Sequence, residues 1–152
     1  MKRHMAWTTV LGLALGLSGA ALAQQAETGS AADAKAMLER AVVALKTDEA
    51  AALEKFRKRE DGFGYRDLYV FCNGTDGRAV AHPNPAMANT DLNTLKDSNG
   101  KEFGKQILRE AKEGRISAVD YVFPRLGGTQ PLAKESYFTQ IGTLICGVGF
   151  YK

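Results

Sequence analysis

The sequence has few of the residues that metal sites and acid–base catalysis use most. It contains two histidines, two cysteines and one tryptophan among 152 residues. A zinc site would need His82, both cysteines and a carboxylate, and none of these is paired at the close spacing of metal-binding motifs. Gly127 and Gly128 lack the helix and the lysine that follow them in a phosphate-binding loop. We therefore expect no metal and no cofactor.

Positive charge is also scarce once the N-terminus is set aside. The formal net charge is +3, and residues 1–23 hold Lys2 and Arg3 but no acidic residue, so the rest of the chain carries +1. The cationic run Lys55–Arg59 falls at a predicted helix end, where positive charge suits the helix dipole. Without a basic stripe, nucleic acid is not expected as a partner.

Long apolar runs are confined to the N-terminus. A positive start precedes the apolar residues 6–20, and the small residues at 21 and 23 fit a signal-peptidase site. The alternative is a retained membrane anchor, because the stretch approaches the ~18 residues of a membrane-spanning helix. Its glycines and hydroxyl residues weaken a membrane-spanning helix, and the small residues at 21 and 23 favour cleavage. We predict a signal peptide over 1–23, a flexible mature N-terminus over 24–33 and one soluble domain over 34–152, periplasmic or secreted, with no membrane span after cleavage.

Apolar spacing predicts helices first and strands afterwards. Residues 31–59 show helical periodicity, interrupted by a second helix start near Asp48, so they form one kinked helix or two helices in line. A hairpin over 68–81 follows, then a loop over 82–101 and a short helix over 103–111. Three further strands are predicted over 116–123, 135–141 and 143–151. Short connections between strands allow antiparallel pairing, which indicates an α+β fold.

Four segments resemble the single Cache domain, an extracytoplasmic sensor module with a PAS-like fold. They are DLYVFCNGTDGRAVAHPNP, LKDSNGKEFGKQILREA, VDYVFPR and KESYFTQIGTLICGVGFYK. The resemblance covers about residues 34–152. It implies a long N-terminal helix packed on a five-stranded antiparallel sheet, with a pocket for a small carboxylate or amino acid between the sheet and the loop-helix segment. Because the chain ends at Lys152 without a membrane helix or output domain, we expect it to act through a partner such as a membrane receptor or sensor protein.

The predicted pocket residues are aromatic or cationic. Aromatic walls with one or two fixed donors suit a small carboxylate, and arginine can hold that group through two parallel hydrogen bonds. The alternative is an aromatic core with both cations solvated at strand ends. The predicted set is Tyr121, Phe123, Arg125, Lys134 and Tyr137, with His82 at the rim.

His82 has three possible roles. A catalytic base would need a nucleophile and an orienting acid, and no serine- or cysteine-centred turn accompanies it. A metal ligand would stand almost alone. We favour a histidine that hydrogen-bonds the loop ahead of Pro83. A small thiol-dependent or hydrolytic enzyme using Cys72 or Cys146 with His82 remains the alternative to a binding protein.

The resemblance also implies a role for the two cysteines. It places the strands of Cys72 and Cys146 next to each other, and an exported pair in an oxidising compartment tends to join. Two buried thiols are the alternative, which leaves the disulfide as a prediction.

Overall fold

The computed structural model describes residues 28–152, and the predicted signal peptide lies outside them. Helix α1 spans Ala31–Thr47 and begins with a capping box, in which the Ser30 side chain accepts from the Asp33 backbone and the Asp33 side chain accepts from the Ser30 backbone. Because this box starts the helix, residues 31–33 belong to α1 and not to the flexible N-terminus that we predicted.

The helical region divides into two helices at Asp48. This residue has an extended backbone, ends α1 and begins α2, Glu49–Lys58, where its carboxylate accepts from the Ala51 backbone N–H at 3.0 Å. Arg59 ends α2 in the left-handed conformation, with φ of 58°. Of our two alternatives, two successive helices is the correct one.

Within the described residues, six strands form one antiparallel sheet. Five of them follow the order β1-β2-β6-β5-β4, and β3 pairs with β2 outside this order. The bounds are Gly64–Tyr65 for β1, Leu68–Gly74 for β2, Ala79–Ala81 for β3, Ser117–Pro124 for β4, Pro131–Ile141 for β5 and Leu144–Tyr151 for β6. We predicted five of these strands and missed β1, which has only two residues. The predicted start of β5 was four residues late, because its pairing with β4 extends to Pro124 opposite Pro131.

The two faces of the sheet carry different cores. Helices α1 and α2 pack on one face, burying Met37, Leu38 and Phe56 almost completely. The loop that follows β3 and helix α3, Phe103–Glu110, cover part of the other face, where Phe103 and Ile107 are buried. The predicted α+β class is confirmed, and the cleft between the loop-α3 segment and the sheet positions the candidate site.

The two cysteines form the predicted disulfide. Cys72 and Cys146 lie directly opposite each other on β2 and β6, and their sulfur atoms are bonded at 2.05 Å. Both residues are fully buried. Within residues 28–152, no helix is long and apolar enough to cross a membrane.

Candidate ligand-binding site

A narrow cavity of about 30 Å³ lies between the loop-α3 segment and the sheet. Its walls are mostly apolar and aromatic, and none of the acidic side chains of residues 28–152 lines it. The lining residues are Tyr69, Phe71, Cys72, Asn73, Ala79, Ala81, His82, Met87, Thr90, Leu92, Leu95, Phe103, Ile107, Tyr121 and Phe123. Because a volume of about 10–15 Å³ holds one water molecule, the cavity in this structure suits only a very small molecule.

The outer wall is held against the sheet by backbone hydrogen bonds. The Ala79 N–H donates to the Thr90 carbonyl at 3.0 Å, and the Leu92 N–H donates to the Gly77 carbonyl at 2.9 Å. Gly104 lets α3 approach this loop, because a Cβ there would lie 2.2 Å from the Leu92 carbonyl oxygen. The loop after β3 is therefore a fixed wall rather than an open flap.

Asp97 ties the end of this loop to β4. One carboxylate oxygen accepts from the backbone N–H groups of Asn99 and Lys101, each at 2.9 Å, and the other accepts from the Val122 N–H at 3.1 Å. This arrangement fixes the turn before α3 beside the strand that carries Tyr121.

Stacked aromatic rings form the inner end of the cavity. The rings of Phe103 and Tyr121 lie 4.2 Å apart and nearly parallel, and Phe123 meets both edge to face. The Tyr121 hydroxyl shares a hydrogen bond with Ser136 at 2.8 Å. Burial raises the pKa of Tyr121 to about 12, so the phenol stays neutral at physiological pH.

Lys134 lies behind this wall on β5 and is 2% exposed. Its Nζ donates to the Tyr69 hydroxyl at 2.9 Å and lies 4.6 Å and 4.8 Å from the ring centroids of Tyr69 and Tyr151. Gly149 provides room for the lysine, since a Cβ there would lie 2.4 Å from the Lys134 Cε. Aromatic faces attract an ammonium group, but they do not neutralise its charge.

The charge of Lys134 is poorly compensated. Among residues 28–152, no carboxylate lies within 4 Å of its Nζ. Burial lowers the pKa of Lys134 from 10.5 to about 7, although the more distant Asp67 carboxylate acts in the opposite direction. An anion placed near this group would favour its protonated form.

His82 stands at the cavity wall in a defined tautomer. Its Nδ1 accepts from the Asn84 backbone N–H at 3.0 Å, and its ring meets Tyr69 edge to face with centroids 5.1 Å apart. Burial first, and the Lys134 charge second, lower the pKa of His82 to about 4. The imidazole is therefore neutral at pH 7 with its proton on Nε2, which leaves one donor.

The structure brings together four of the six predicted site residues. Tyr121, Phe123 and His82 line the cavity, and Lys134 lies against the Tyr69 wall. The hydrogen bond from the loop to His82 is the one that we predicted for a scaffold histidine.

Tyr137 and Arg125 lie elsewhere. Tyr137 is three residues from Lys134, and because strand side chains alternate, it lies on the opposite face, where it packs on the α1 core and Phe150. Arg125 follows the end of β4, pairs with Asp67 at 3.3 Å and stacks on Tyr151. Grouping either residue with the cavity was wrong in this geometry.

Sequence reasoning missed the residue that connects Lys134 to the cavity. Tyr69 lies on β2, sixty-five positions before its hydrogen-bond partner. Its neighbours Leu68, Val70 and Phe71 are all apolar, so the tyrosine looks like one more core residue of a buried strand. A buried tyrosine usually finds a partner for its hydroxyl, and this is the signal that was available.

The disulfide removes the thiol alternative. Both cysteines of the chain are joined to each other, so neither is a free nucleophile for His82. Within residues 28–152, no three or more histidine, cysteine, aspartate or glutamate side chains lie close enough together to hold a metal ion.

Comparison with known proteins gives a consistent result. The sequence model of the Cache domain family matches residues 34–152. The methyl-accepting chemotaxis protein McpP of Pseudomonas putida is 30% identical over 89 residues, which are 56% of this chain and 16% of that protein. The chain thus spans a small part of that relative's length.

Solved structures show the same fold. A periplasmic sensor domain of a chemotaxis protein is 30% identical with a TM-score of 0.59, and the match covers 86% of this chain and 90% of that one. A Cache chemosensory domain, solved to explain its carboxylic acid recognition, is 21% identical with a TM-score of 0.64, covering 89% and 99%.

Proposed function

Because this chain belongs to the Cache domain family, we propose that it is an exported sensor protein that binds a small monocarboxylate in the cavity beside Lys134. The observation that carries the proposal is the nearly complete burial of Lys134 without a carboxylate partner among residues 28–152. A buried charge without a partner is strongly unfavourable, so a bound anion would supply what the protein lacks.

The surrounding donors suit a carboxylate. A carboxylate accepts several hydrogen bonds, and this end of the site offers the Lys134 ammonium, the Tyr69 hydroxyl and the Nε2 proton of His82. If the Tyr69 hydroxyl moved from its contact with Lys134 to a contact with the ligand, the ligand would accept from both the hydroxyl and the lysine. Both side chains would then have a hydrogen-bond partner. No new charge has to be buried alone.

The rest of the cavity suits a short apolar tail. Met87, Leu92 and Ile107 line it together with the aromatic rings, and its volume excludes a long ligand unless the walls move. The ammonium group of an amino acid would need an acidic partner, and the lining residues include none. We therefore favour a short carboxylic acid over an amino acid, which also fits the carboxylic acid recognition described for one structural relative.

The site is proposed to report ligand occupancy rather than to transform the ligand. Because both cysteines are joined to each other, no free thiol among residues 28–152 is available for His82 to activate. One relative is a methyl-accepting chemotaxis protein and another is the periplasmic sensor domain of a chemotaxis protein, so we propose a membrane receptor or sensor protein as the partner. The proposed location is the periplasm or the exterior, and mass spectrometry of the exported protein should then find an N-terminus at Gln24.

A matched pair of lysine variants tests the ligand class. Thermal unfolding and calorimetric titration would compare acetate, propionate and butyrate with glycine and alanine at pH 6.5, since a ligand that binds only the folded state raises the unfolding temperature. We expect one of the short acids to bind, Lys134→Met to abolish the binding, and Lys58→Met to leave it unchanged. Lys58 is exposed and pairs with Glu54 on α2. This helix packs on the face of the sheet opposite to the cavity.

Two results would contradict the proposal. Binding of the acids to Lys134→Met with the affinity of the original protein would place the anion elsewhere. If glycine or alanine stabilised the protein and the three carboxylic acids did not, the proposed ligand class would be wrong.

A further inference from the structure

The cavity beside Lys134 is small for a carboxylate with a tail of several carbons. Its volume is about 30 Å³. At about 10–15 Å³ for each water molecule, this is room for about two or three waters. A longer tail can enter only if part of the wall moves. The part of the wall that moves therefore sets the length of the tail that the cavity accepts.

The backbone around the cavity is fixed. The hydrogen bonds from Ala79 to Thr90 and from Leu92 to Gly77 hold the loop after β3 against the sheet. Gly104 brings α3 into close contact with the Leu92 carbonyl from the other side. Moving the loop outward would break these hydrogen bonds. Extra room for a ligand has to come from a side chain instead.

Most of the large side chains of the wall are fixed as well. A buried hydrophobic cluster between α3 and the sheet contains Leu92, Phe103, Ile107 and Tyr121. The Phe71 ring packs over Gly147, where a Cβ would lie 2.5 Å from the ring. Close-packed side chains of this kind move only at the cost of clashes or voids around them.

Met87 differs from these residues. Its side chain lines the cavity but is only partly buried. It belongs to neither of the two hydrophobic clusters and is not among the side chains packed against them. Methionine is unbranched and flexible, so it can change rotamer at little cost. Because the side chain borders both the cavity and the solvent, moving it outward would enlarge the cavity.

The backbone of Met87 is anchored while its side chain is not. The residue ends a single turn of 3₁₀ helix, Pro85–Met87. Its N–H donates to the Asn84 carbonyl at 2.9 Å, and its own carbonyl accepts from the Thr90 hydroxyl at 2.8 Å and the Thr90 N–H at 3.2 Å. The side chain can therefore turn about a fixed Cα without disturbing the loop.

We propose that Met87 determines the length of the carboxylic acid that the cavity accepts. In the empty protein its side chain fills the outer part of the cavity, and it turns towards the solvent to admit a longer tail. This inference rests on the proposed function, since the tail belongs to a carboxylate held near Lys134. Met87→Ala removes Cγ, Sδ and Cε, which leaves room for about three further methylene groups, each strengthening binding about fourfold when buried.

Calorimetric titration with the straight-chain acids from acetate to hexanoate, at pH 6.5, tests the proposal. It would compare the original protein with Met87→Ala and with the control Val80→Ala. Val80 lies between two cavity residues of β3, but it packs against the α1 core and does not line the cavity. We expect the preferred acid to become about two carbons longer in Met87→Ala, and hexanoate to bind at least about tenfold more tightly than to the original protein. Val80→Ala should keep the original preference.

Nuclear magnetic resonance of the methionine methyl groups provides a measurement that needs no variant. Propionate or butyrate should shift the methyl signal of Met87 in the original protein. Met37 is 1% exposed in the α1 core on the other face of the sheet, so its signal should stay unchanged and serve as the internal reference. This titration decides the question if Met87→Ala fails to fold.

The outcomes separate this inference from the function on which it rests. If the acids bind but prefer the same length in Met87→Ala as in the original protein, or if they bind without shifting the Met87 signal, Met87 does not control the length and the carboxylate site still stands. If none of the acids binds any of the three proteins, the carboxylate site itself is wrong and the role of Met87 falls with it.

Discussion

Replacing Lys134 by methionine should make the ligand-free protein more stable, and the gain should depend on pH. Methionine fills a similar volume without a charge, and replacing buried ionic groups by apolar ones stabilises several proteins by 1–4 kcal/mol. Part of the gain is offset because the Tyr69 hydroxyl loses its partner, which costs about 1 kcal/mol. A residue needed for binding would then be one that destabilises the empty protein.

The pH dependence follows from the lowered pKa of Lys134. Below about pH 7 the lysine is protonated in both the folded and the unfolded state, and the folded state bears the whole cost of burying the charge. Between about 7 and 10.5 the folded state releases the proton while the unfolded chain keeps it, so stability rises with pH. Above 10.5 both states are neutral, and the cost is gone.

The magnitude comes from the same two pKa values. At 1.36 kcal/mol per pKa unit, a fall from 10.5 to about 7 corresponds to about 5 kcal/mol as an upper figure. About half of this, ~2–3 kcal/mol, is recovered between pH 6 and pH 9. We expect Lys134→Met to be about 2–4 kcal/mol more stable than the original protein at pH 6 and nearly equal to it at pH 9. The folded His82 is neutral over this range because burial lowers its pKa to about 4, whereas the unfolded chain titrates near 6.5 in both proteins, so the contribution of His82 largely cancels in their difference.

The assay is urea unfolding of the ligand-free proteins at pH 6, 7, 8 and 9, with Lys58→Met as the control. Groups that titrate alike in both proteins cancel in the difference between their free energies of unfolding. For the control, this difference should not change with pH. A difference between Lys134→Met and the original protein that stays constant from pH 6 to pH 9 would refute a buried lysine with a lowered pKa.

Three further outcomes follow from the same geometry. Affinity for the carboxylate should fall as the pH rises from 7 to 9, because the bound anion needs protonated Lys134. Calorimetry in buffers of different ionisation heat should show that binding takes up a proton, and no proton uptake at pH 8 would contradict the pairing of the carboxylate with Lys134. Gly149→Ala should weaken ligand binding about tenfold or more, because the new methyl group would occupy the space of the Lys134 side chain; unchanged affinity in a folded variant would argue against this packing. Cys146→Ser should lower the stability by up to about 4 kcal/mol, since the disulfide closes a loop with a sequence separation of 74. Cys146 does not line the cavity, so ligand binding should persist in the protein that remains folded; a variant with unchanged thermal stability would show that the bridge contributes little.

Side-chain alternation explains why the aromatic part of the site was predictable and Tyr137 was not. Tyr121 and Phe123 lie two residues apart on one strand, so they share a face in any register. Lys134 and Tyr137 lie three residues apart, and the same rule places them on opposite faces. The predicted set mixed both parities, because Lys134 and Tyr137 were grouped by residue type and not by their positions along β5.

Local sequence determined the elements of this protein. Apolar spacing, capping residues and turn dipeptides each act over a few positions, and they specify the helices, the hairpins and the α+β class. Only the tertiary structure decided which side chains meet across the sheet. The contact of Tyr69 with Lys134 and that of Asp67 with Arg125 join residues on different strands or turns. The charge of Lys134 depends on these contacts too, because the pKa of a lysine reflects how deeply the finished fold removes it from water and which charges come with it.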